Sequence, residues 1–337
     1  MPEKHETAGN LRLRLKKLGL SDRAVDAAWP RWWSDEGDTS ASARLELRFS
    51  LARKLGIDPN SLLEEAQPRF VWKDEARFKH LSGEGELELS AIVSLGRAVG
   101  TLLVAGAPLA HPIEGRTAEE LRKALLHEKR PFVALADLLL LCWSVGIPVI
   151  HLRVFPWPRK RMAAMSVRVG DRSAILLGKD SNYTPHVAFY LAHELGHVAL
   201  SHIGNELAIV DLEANRSREG ETDFEEVSAD RFALELLTGT PEPIVLPYRK
   251  RYSARELGRV ARNSSEGLGI EPGTLALCFG YSTNDWATAN ASMRYIYGRG
   301  TPVWQMVNNL ARTQLLLDKL PDDSLNYLDA ILGTINR

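Results

Sequence analysis

Apolar residues recur at helical spacing through the first 80 residues of the chain. One stripe has a leucine at every fourth position, which places the side chains on one helix face: Leu47, Leu51 and Leu55. Gly56 predicts the end of that helix, because glycine adopts the left-handed backbone of a C-terminal cap without strain. Asp58 and Pro59 predict the start of the next helix. We therefore expect an N-terminal helical domain over residues 1–80.

The spacing of the apolar positions changes after residue 145. Three short runs rich in β-branched residues are separated by turn-prone segments, and they predict three strands. The runs are IPVIHLRVF, AAMSVRVG and SAILLGK, which span residues 147–155, 163–170 and 173–179. Gly170 and Asp171 separate the second run from the third, so we expect a tight hairpin there.

Two further helices are predicted after the strands. Thr184 is a candidate N-terminal cap with Pro185 at the first helical position, and the helix continues through HVAFYLAHELGHVALSH. Residues 205–223 are polar and irregular in pattern, and FEEVSADRFALELL then predicts a second helix that ends before the breaker at residues 239–243. Residues 245–337 are again mostly helical in pattern.

Candidate chemistry lies in the first of these helices, in the segment His-Glu-Leu-Gly-His. His193 and His197 stand four residues apart, so both imidazoles project from one helix face and could bind one metal ion. Glu194 projects to the side, where a carboxylate could accept a proton from an activated water. Zinc fits this set, because nitrogen and carboxylate ligands bind it well and catalytic zinc keeps one position open.

A third ligand is expected from the second helix, since catalytic zinc takes three protein ligands. Glu226 is the candidate. Asp230 follows it at spacing four and could accept a hydrogen bond from the outer N–H of a liganding imidazole. Glu225 is a competing ligand, but only Glu226 places Asp230 on the same helix face.

These segments resemble the ImmA/IrrE family of zinc metallopeptidases. The resemblance rests on the strand SAILLGK and on the helical segments FYLAHELGHVALSH and EEVSADRFALELL. It extends over residues 145–240 and weakly over residues 253–276. In the family, a Glu-x-x-Ala-Asn/Asp segment followed by Phe-Ala supplies the third ligand, which corresponds here to Glu226. The chain departs from the family at residues 238–241, where Thr-Gly-Thr-Pro stands instead of a frequent Met-Pro.

The resemblance implies an α+β fold with a zincin-like metallopeptidase core, in which a small antiparallel sheet packs on the helix that carries the two histidines. We expect this core over residues 81–244, between helical regions at residues 1–80 and 245–337. The resemblance also implies one zinc ion per chain and endopeptidase action with Glu194 as general base. The strand before the helix would pair through its edge with an extended substrate. Known relatives cleave helix-turn-helix transcriptional repressors, which derepresses stress, mobile-element or phage-defence genes.

Other histidines, a tyrosine and two cysteines are further candidates for the site. His186 shares the face of the metal-binding histidines and, with Tyr183, is a candidate for lining the cleft or stabilising an oxyanion. His202 falls on the opposite face of a continued helix, so we expect a surface or core residue rather than a ligand. Cys142 and Cys278 lie in apolar runs and are expected in the core, with a thiolate that caps the zinc as the alternative.

Charge leaves one alternative function open. The chain has 42 Lys and Arg against 43 Asp and Glu, which gives no general reason to bind nucleic acid or a membrane surface. Residues 1–80 have 15 Lys and Arg against 13 Asp and Glu, and their helices fit either a helix-turn-helix-like DNA-binding domain or a substrate-docking module. The alternative is therefore a non-catalytic DNA-binding regulator or toxin–antitoxin partner. Glu194 favours the peptidase, because a binding module needs no general base.

The expected location follows from segments that the sequence lacks. The first residues contain no apolar signal segment, and the longest apolar runs are too short or too interrupted to span a bilayer. Two cysteines far apart in the sequence fit a reducing compartment. We therefore expect a cytoplasmic protein with no membrane partner.

Overall fold

The computed structural model describes residues 6–64, 67–71, 76–79, 86–109, 111–126, 131–156, 162–202, 208–212, 224–242 and 251–333. Over these residues the fold is α+β, with fourteen α-helices, two short 3-10 helices and one five-stranded sheet. The N-terminal helices are α1 (Ala8–Lys17), α2 (Asp22–Ala28), α3 (Ala41–Leu55) and α4 (Pro59–Leu63). The strands are β1 (Ala76–Lys79), β2 (Val149–His151), β3 (Met162–Val169), β4 (Arg172–Leu177) and β5 (Ala208–Leu212).

The remaining helices lie between the strands and after them. Five are α5 (Glu86–Gly106), α6 (Ala118–Leu125), α7 (Leu135–Ser144), α8 (Thr184–Ala199) and α9 (Phe224–Thr238). The carboxyl-terminal five are α10 (Ala254–Leu268), α11 (Pro272–Thr283), α12 (Trp286–Tyr297), α13 (Val303–Gln314) and α14 (Asp322–Leu332). The 3-10 helices span Asp35–Thr39 and Leu317–Lys319. No helix in the described ranges combines the length and the apolar character needed to cross a bilayer.

The five strands form one mixed sheet in the order β1, β5, β3, β4, β2. β3 pairs antiparallel with β4 and with β5, whereas β1 runs parallel to β5 and β2 runs parallel to β4. The three predicted strands are present, and Gly170 turns the β3–β4 hairpin with a φ of 63°. The expectation of an antiparallel sheet is wrong, because β4 inserts beside β2 and runs in the same direction.

Two strands lie where the sequence pattern did not predict them. β1 falls inside the region expected to be helical, and β5 falls inside the segment expected to be irregular. They pair with each other in parallel, and β5 also pairs with β3. Each is therefore a strand because of its neighbours in the sheet, and its own sequence pattern is a poor guide.

Helices pack on both faces of the sheet. Successive side chains of a strand point to opposite faces, so each strand contributes to two hydrophobic cores. Met165 and Leu176 belong to the core shared with α5, and a Cβ atom on Gly96 of α5 would lie only 2.3 Å from the Met165 sulfur. Ala164 and Ile175 belong to the core on the other face, with α7 and α8. This second face carries the helix with the His-Glu-Leu-Gly-His segment.

The N-terminal helices share one hydrophobic core with α5 and α14. The predicted leucine stripe of α3 is buried in it. Lys54 is buried there too, and its Nζ donates to Asp323 Oδ1 at 2.7 Å and to the Ala28 carbonyl at 3.1 Å. The Tyr327 hydroxyl donates to the Lys54 carbonyl at 2.7 Å. The N-terminal helices α2 and α3 are therefore joined to α14 through buried polar contacts.

A further core joins α10, α11 and α12. Arg122 of α6 connects this group to α9, since its guanidinium donates to the Leu236 carbonyl at 3.0 Å and to the Gly269 carbonyl at 2.6 Å. These oxygens lie at the carboxyl ends of α9 and α10, where helices leave carbonyl groups without internal partners. Arg122 therefore fixes the end of the helix that carries Glu226.

The outer edge of β2 is covered by Asn308 of α13. The His151 backbone N–H donates to Asn308 Oδ1 at 2.7 Å, and Asn308 Nδ2 donates to the His151 carbonyl at 2.8 Å. The side-chain amide thus makes the hydrogen bonds that a neighbouring strand would make. β4 lies between β3 and β2. The expectation that the strand before α8 presents an edge to substrate is therefore wrong.

Most predicted helix ends are found. Gly56 caps α3 with a φ of 65°, and Asp58 caps α4 by accepting a hydrogen bond from the Asn60 backbone N–H. Thr184 is not the cap of α8, because it is the first helical residue and Tyr183 holds the cap position. No side-chain hydrogen bond caps this helix start.

Candidate metal centre

Gly196 allows α8 and α9 to approach closely. A Cβ atom at this position would lie 3.2 Å from the Phe232 Cβ and 3.3 Å from the Ala229 carbonyl oxygen of α9. Contacts this tight leave little room for a side chain. The glycine inside the His-Glu-Leu-Gly-His segment therefore allows the first turns of α9, which carry Glu226, to lie against the histidines of α8.

Three candidate ligand side chains meet where the two helices touch. His193 Nε2 lies 3.0 Å from His197 Nε2. Glu226 places Oε1 3.0 Å from His197 Nε2 and Oε2 3.4 Å from His193 Nε2. Both histidines are buried, and the Glu226 side chain is 19% exposed. In the described part of the chain, the group of side chains that could hold a metal ion consists of these three and does not include Glu225.

The geometry and the chemistry of this group fit zinc. Tetrahedral zinc with bonds of about 2.0–2.1 Å places its ligands about 3.3 Å apart. The shortest separations lie near that value: 3.0 Å between the two Nε2 atoms, 3.0 Å from His197 to Glu226 Oε1 and 3.4 Å from His193 to Glu226 Oε2. The outer Nδ1 atom of each ring has a hydrogen-bond partner, so each ring can carry its proton there and turn the Nε2 lone pair inward. Two lone pairs and a carboxylate this close repel one another unless a cation lies between them.

Asp230 orients His193 from behind. Its Oδ1 lies 2.9 Å from His193 Nδ1. Glu226 and Asp230 lie on successive turns of α9, as their spacing predicted, and they contact the Nε2 and the Nδ1 atom of the same His193 ring. A carboxylate that accepts the outer N–H makes the inner nitrogen a more basic ligand and fixes the tautomer.

His202 has the corresponding position behind His197. The two Nδ1 atoms lie 2.9 Å apart, and His202 Nε2 lies 3.2 Å from Ser228 Oγ. The Ser228 hydroxyl donates to the Glu225 carbonyl at 3.0 Å. One proton assignment satisfies the whole chain: His197 donates from Nδ1 to His202, and His202 donates from Nε2 to Ser228. His197 then keeps its Nε2 lone pair for a metal.

The expectation that His202 stands apart from the site is therefore wrong. It assumed that α8 continues to His202, whereas the helix ends at Ala199. Ser201 adopts a left-handed conformation with a φ of 59°, and the His202 N–H donates to the His197 carbonyl at 3.0 Å. A glycine commonly marks such a reversal in a sequence. Here a serine adopts that conformation, so the sequence pattern does not indicate where α8 ends.

Glu194 is fully buried and is held by a residue of the sheet. The Ser166 hydroxyl of β3 donates to Glu194 Oε2 at 2.6 Å. Sequence reasoning did not find Ser166, because a lone serine in a strand belongs to no motif. The contact gives the carboxylate next to His193 a fixed orientation.

Two candidates for the cleft have different positions. His186 lines a cavity beside the candidate metal centre, where its Nε2 lies 2.8 Å from Asn290 Oδ1 and its Nδ1 lies 3.2 Å from Ser181 Oγ. Tyr183 is turned towards the carboxyl-terminal helices, with its hydroxyl donating to the Gly298 carbonyl at 3.3 Å. The Tyr183 ring stands 6.0 Å from the ring of Tyr297. The structure thus brings His186 near the site but does not bring Tyr183 there.

Neither cysteine belongs to the candidate ligand group. Cys142 is fully buried, and burial raises the pKa of its thiol to about 12, which disfavours a thiolate. Cys278 is buried in α11 and also lines the cavity beside the candidate metal centre. The core positions expected for both residues are found.

Comparisons of the chain with protein-family models, with curated protein sequences and with solved structures found no match.

Proposed function

We propose that the protein is a zinc-dependent endopeptidase of the ImmA/IrrE type, built on a zincin-like core. The single observation that carries the proposal is the meeting of His193 Nε2, His197 Nε2 and the Glu226 carboxylate at 3.0–3.4 Å. Glu194 directly follows the first of these ligands, which is the arrangement of metallopeptidases that use a glutamate as general base. The placement of α8 against a small sheet supports the zincin-like core.

Each residue has a defined role in the proposed reaction. His193, His197 and Glu226 would hold one zinc ion per chain, and Asp230 and His202 would keep the two rings in the correct tautomer. The ion would supply Lewis acidity, which makes a water molecule acidic enough to attack a peptide carbonyl at neutral pH. Glu194 would accept the proton of that water and return it to the leaving amine nitrogen. Ser166 would hold the Glu194 carboxylate in place through its Oε2 atom.

The proposed substrate is a helix-turn-helix transcriptional repressor in the cytoplasm. This part of the proposal is supported by the resemblance of residues 145–240 to the family. A small repressor gene beside the gene of this protein would give the substrate for a direct test. The proposed outcome of cleavage is the expression of stress, mobile-element or phage-defence genes.

The replacement Glu194→Gln tests the proposal, because an amide of the same shape cannot accept the proton. We expect the variant to retain zinc by elemental analysis and to lose cleavage of the repressor, by about 100-fold or more. Cleavage at the wild-type rate would contradict the assigned mechanism. Absence of bound zinc in the wild-type protein after purification with added zinc would contradict the metal site itself.

A further inference from the structure

A cavity of about 460 Å³ lies beside the metal centre, among α8, α9, α11 and α12. Its volume falls in the range of about 300–1,000 Å³ that proteins use to bind small organic groups. The helices α8 and α9 form one side, and the carboxyl-terminal helices α11 and α12 form the other. A region of the chain outside the His-Glu-Leu-Gly-His segment therefore completes the cavity.

The cavity borders His193 on the side of its outer Nδ1 atom. Asp230, which contacts His193 Nδ1 at 2.9 Å, also lines the cavity. Phe189 lines it one turn before His193, and the centroids of the two rings lie 6.3 Å apart. The cavity is thus adjacent to a candidate ligand through Asp230 and Phe189.

The walls are mainly apolar, with few polar groups in fixed positions. Leu234 and Leu277 line the interior, and two large aromatic side chains of α11 and α12 remain exposed: Tyr281 at 51% and Trp286 at 37%. Burying such rings under a ligand is favourable, because apolar surface leaves water. His186 and Asn290 contact each other at 2.8 Å and give the rim a fixed polar pair. This combination is typical of sites that bind organic groups.

The sheet offers little alternative for recognising a substrate near α8. β4 has partners on both sides, and Asn308 occupies the outer edge of β2. Pairing of a substrate backbone with β4, or with β2 at His151, is therefore blocked. Recognition of a side chain in the cavity does not need a strand edge.

We propose that the cavity binds a large apolar side chain, aromatic or branched aliphatic, from a peptide segment next to the scissile bond. The inference rests on the proposed peptidase function, and it names the substrate class of that site. Lys179 lines the cavity together with Asp180 and Asp230, and Asp180 is paired with Arg153 at 2.6 Å, so the apolar walls, rather than a net charge, disfavour an acidic side chain there. The carboxyl-terminal helices would then select the sequence that the metal centre cleaves.

Peptide binding to the zinc-loaded Glu194→Gln protein tests this proposal without turnover. The probes are capped hexapeptides that are identical except for one position, which is Phe, Leu, Ala or Asp, and the position is moved along the peptide. Titration calorimetry should show Phe and Leu peptides binding about 10- to 100-fold more tightly than the Ala peptide at one position, with Asp the weakest. Trp286→Ala and Tyr281→Ala, added to the same background, should remove most of this preference.

The control is Trp32→Ala, which removes an equally large ring, 45% exposed, from the N-terminal region. It should leave the preference unchanged, and zinc content and circular dichroism should match in all variants. Equal binding of Phe and Ala peptides, or a preference that survives both cavity substitutions, would overturn the proposal. Failure of the zinc-loaded wild-type protein to cleave any peptide contradicts the proposed function instead, and the binding results then still decide the cavity.

Discussion

His202 Nδ1 lies 2.9 Å from His197 Nδ1, while Asp230 Oδ1 lies 2.9 Å from His193 Nδ1. The two candidate ligands are thus oriented by acceptors of different kinds, a neutral ring and a carboxylate. The acceptors also come from different elements, since His202 follows α8 and Asp230 belongs to α9. The ring of His197 is therefore fixed by the way the chain leaves α8.

Replacing His202 by alanine tests its role in positioning His197. We expect zinc affinity to fall by about 10- to 100-fold, the usual effect of losing a group behind a ligand. Competition with a chromophoric chelator measures the affinity. His111→Ala is the matched control, because His111 is an exposed histidine outside the site. Equal affinities of the His202→Ala and wild-type proteins would show that the contact has no influence on the metal.

The neighbouring carboxylates Glu225 and Glu226 allow a second matched test. Glu226→Gln should lower zinc affinity by at least about 100-fold, because the amide oxygen is a weak ligand for zinc. Glu225→Gln should leave the affinity within about twofold of wild type, since this side chain is outside the ligand group. Elemental analysis after gel filtration gives the metal content. Zinc retained at full stoichiometry in Glu226→Gln would move the third ligand elsewhere.

Gly196→Val should disturb the site without replacing a ligand. The new side chain would press on Phe232 and Ala229 across the helix contact, where a Cβ atom alone already lies 3.2–3.3 Å away. Such overpacking costs about 1–3 kcal/mol, and separation of α8 from α9 should weaken zinc binding at least about tenfold. Gly267→Val is the control, since a Cβ atom there meets nothing within 4 Å. Urea denaturation measures the stability of both variants. Equal stabilities and equal zinc affinities of the two variants would contradict the proposed contact.

Glu271 makes stability depend on pH. Burial raises its pKa to about 7, although hydrogen bonds from Thr274 act in the opposite direction. Below a pH of about 4.5 the group is protonated in both the folded and the unfolded chain. Between about 4.5 and 7 only the folded chain keeps the proton, so stability is lost as the pH rises through this window, by at most about 3 kcal/mol.

Urea denaturation of the metal-free protein at pH 5 and at pH 7.5 measures this effect. Glu271→Gln should remove that part of the loss, because its amide does not titrate. Glu266→Gln is the control, since Glu266 is an exposed residue of the preceding helix. A loss of stability of the same size in Glu271→Gln and in wild type would disprove the assignment.

Asp323→Ala should destabilise the contact of α2 and α3 with α14. It would leave the buried Lys54 ammonium without its ion pair at 2.7 Å, and breaking a buried pair by removing one partner costs about 3–5 kcal/mol. Burial already lowers the pKa of Lys54, and Asp323 opposes that shift. Asp322→Ala removes a carboxylate from the same first turn of α14 and should cost less than about 1 kcal/mol. Equal effects of the two substitutions on urea midpoints would exclude the buried pair as the cause.

The parts of the site that the sequence predicted all depend on spacing within one helix. His193 and His197 share a face, and so do Glu226 and Asp230, because a helix repeats every 3.6 residues. That periodicity also identified the buried stripe of α3. The prediction that α8 and α9 touch needed only one further assumption, which was that the residues of both helices bind the same ion.

The parts that it did not predict depend on the tertiary structure. Ser166 meets Glu194 only because β3 packs under α8, and His202 returns to His197 only because Ser201 adopts a left-handed conformation. The strands β1 and β5 are defined by their pairing with each other. The cavity is completed by α11 and α12, whereas the sequence pattern assigned residues 272–297 to a separate carboxyl-terminal region.

Asn308 has a consequence for the carboxyl-terminal region as a whole. Besides covering β2, its amide donates to the Leu332 carbonyl at 2.8 Å, so one side chain joins the sheet to the last helix. A chain without α13 would leave the His151 N–H and carbonyl exposed at the β2 edge, and unpaired strand edges recruit strands from other copies. We therefore expect a chain shortened in this way to self-associate, besides losing part of its core.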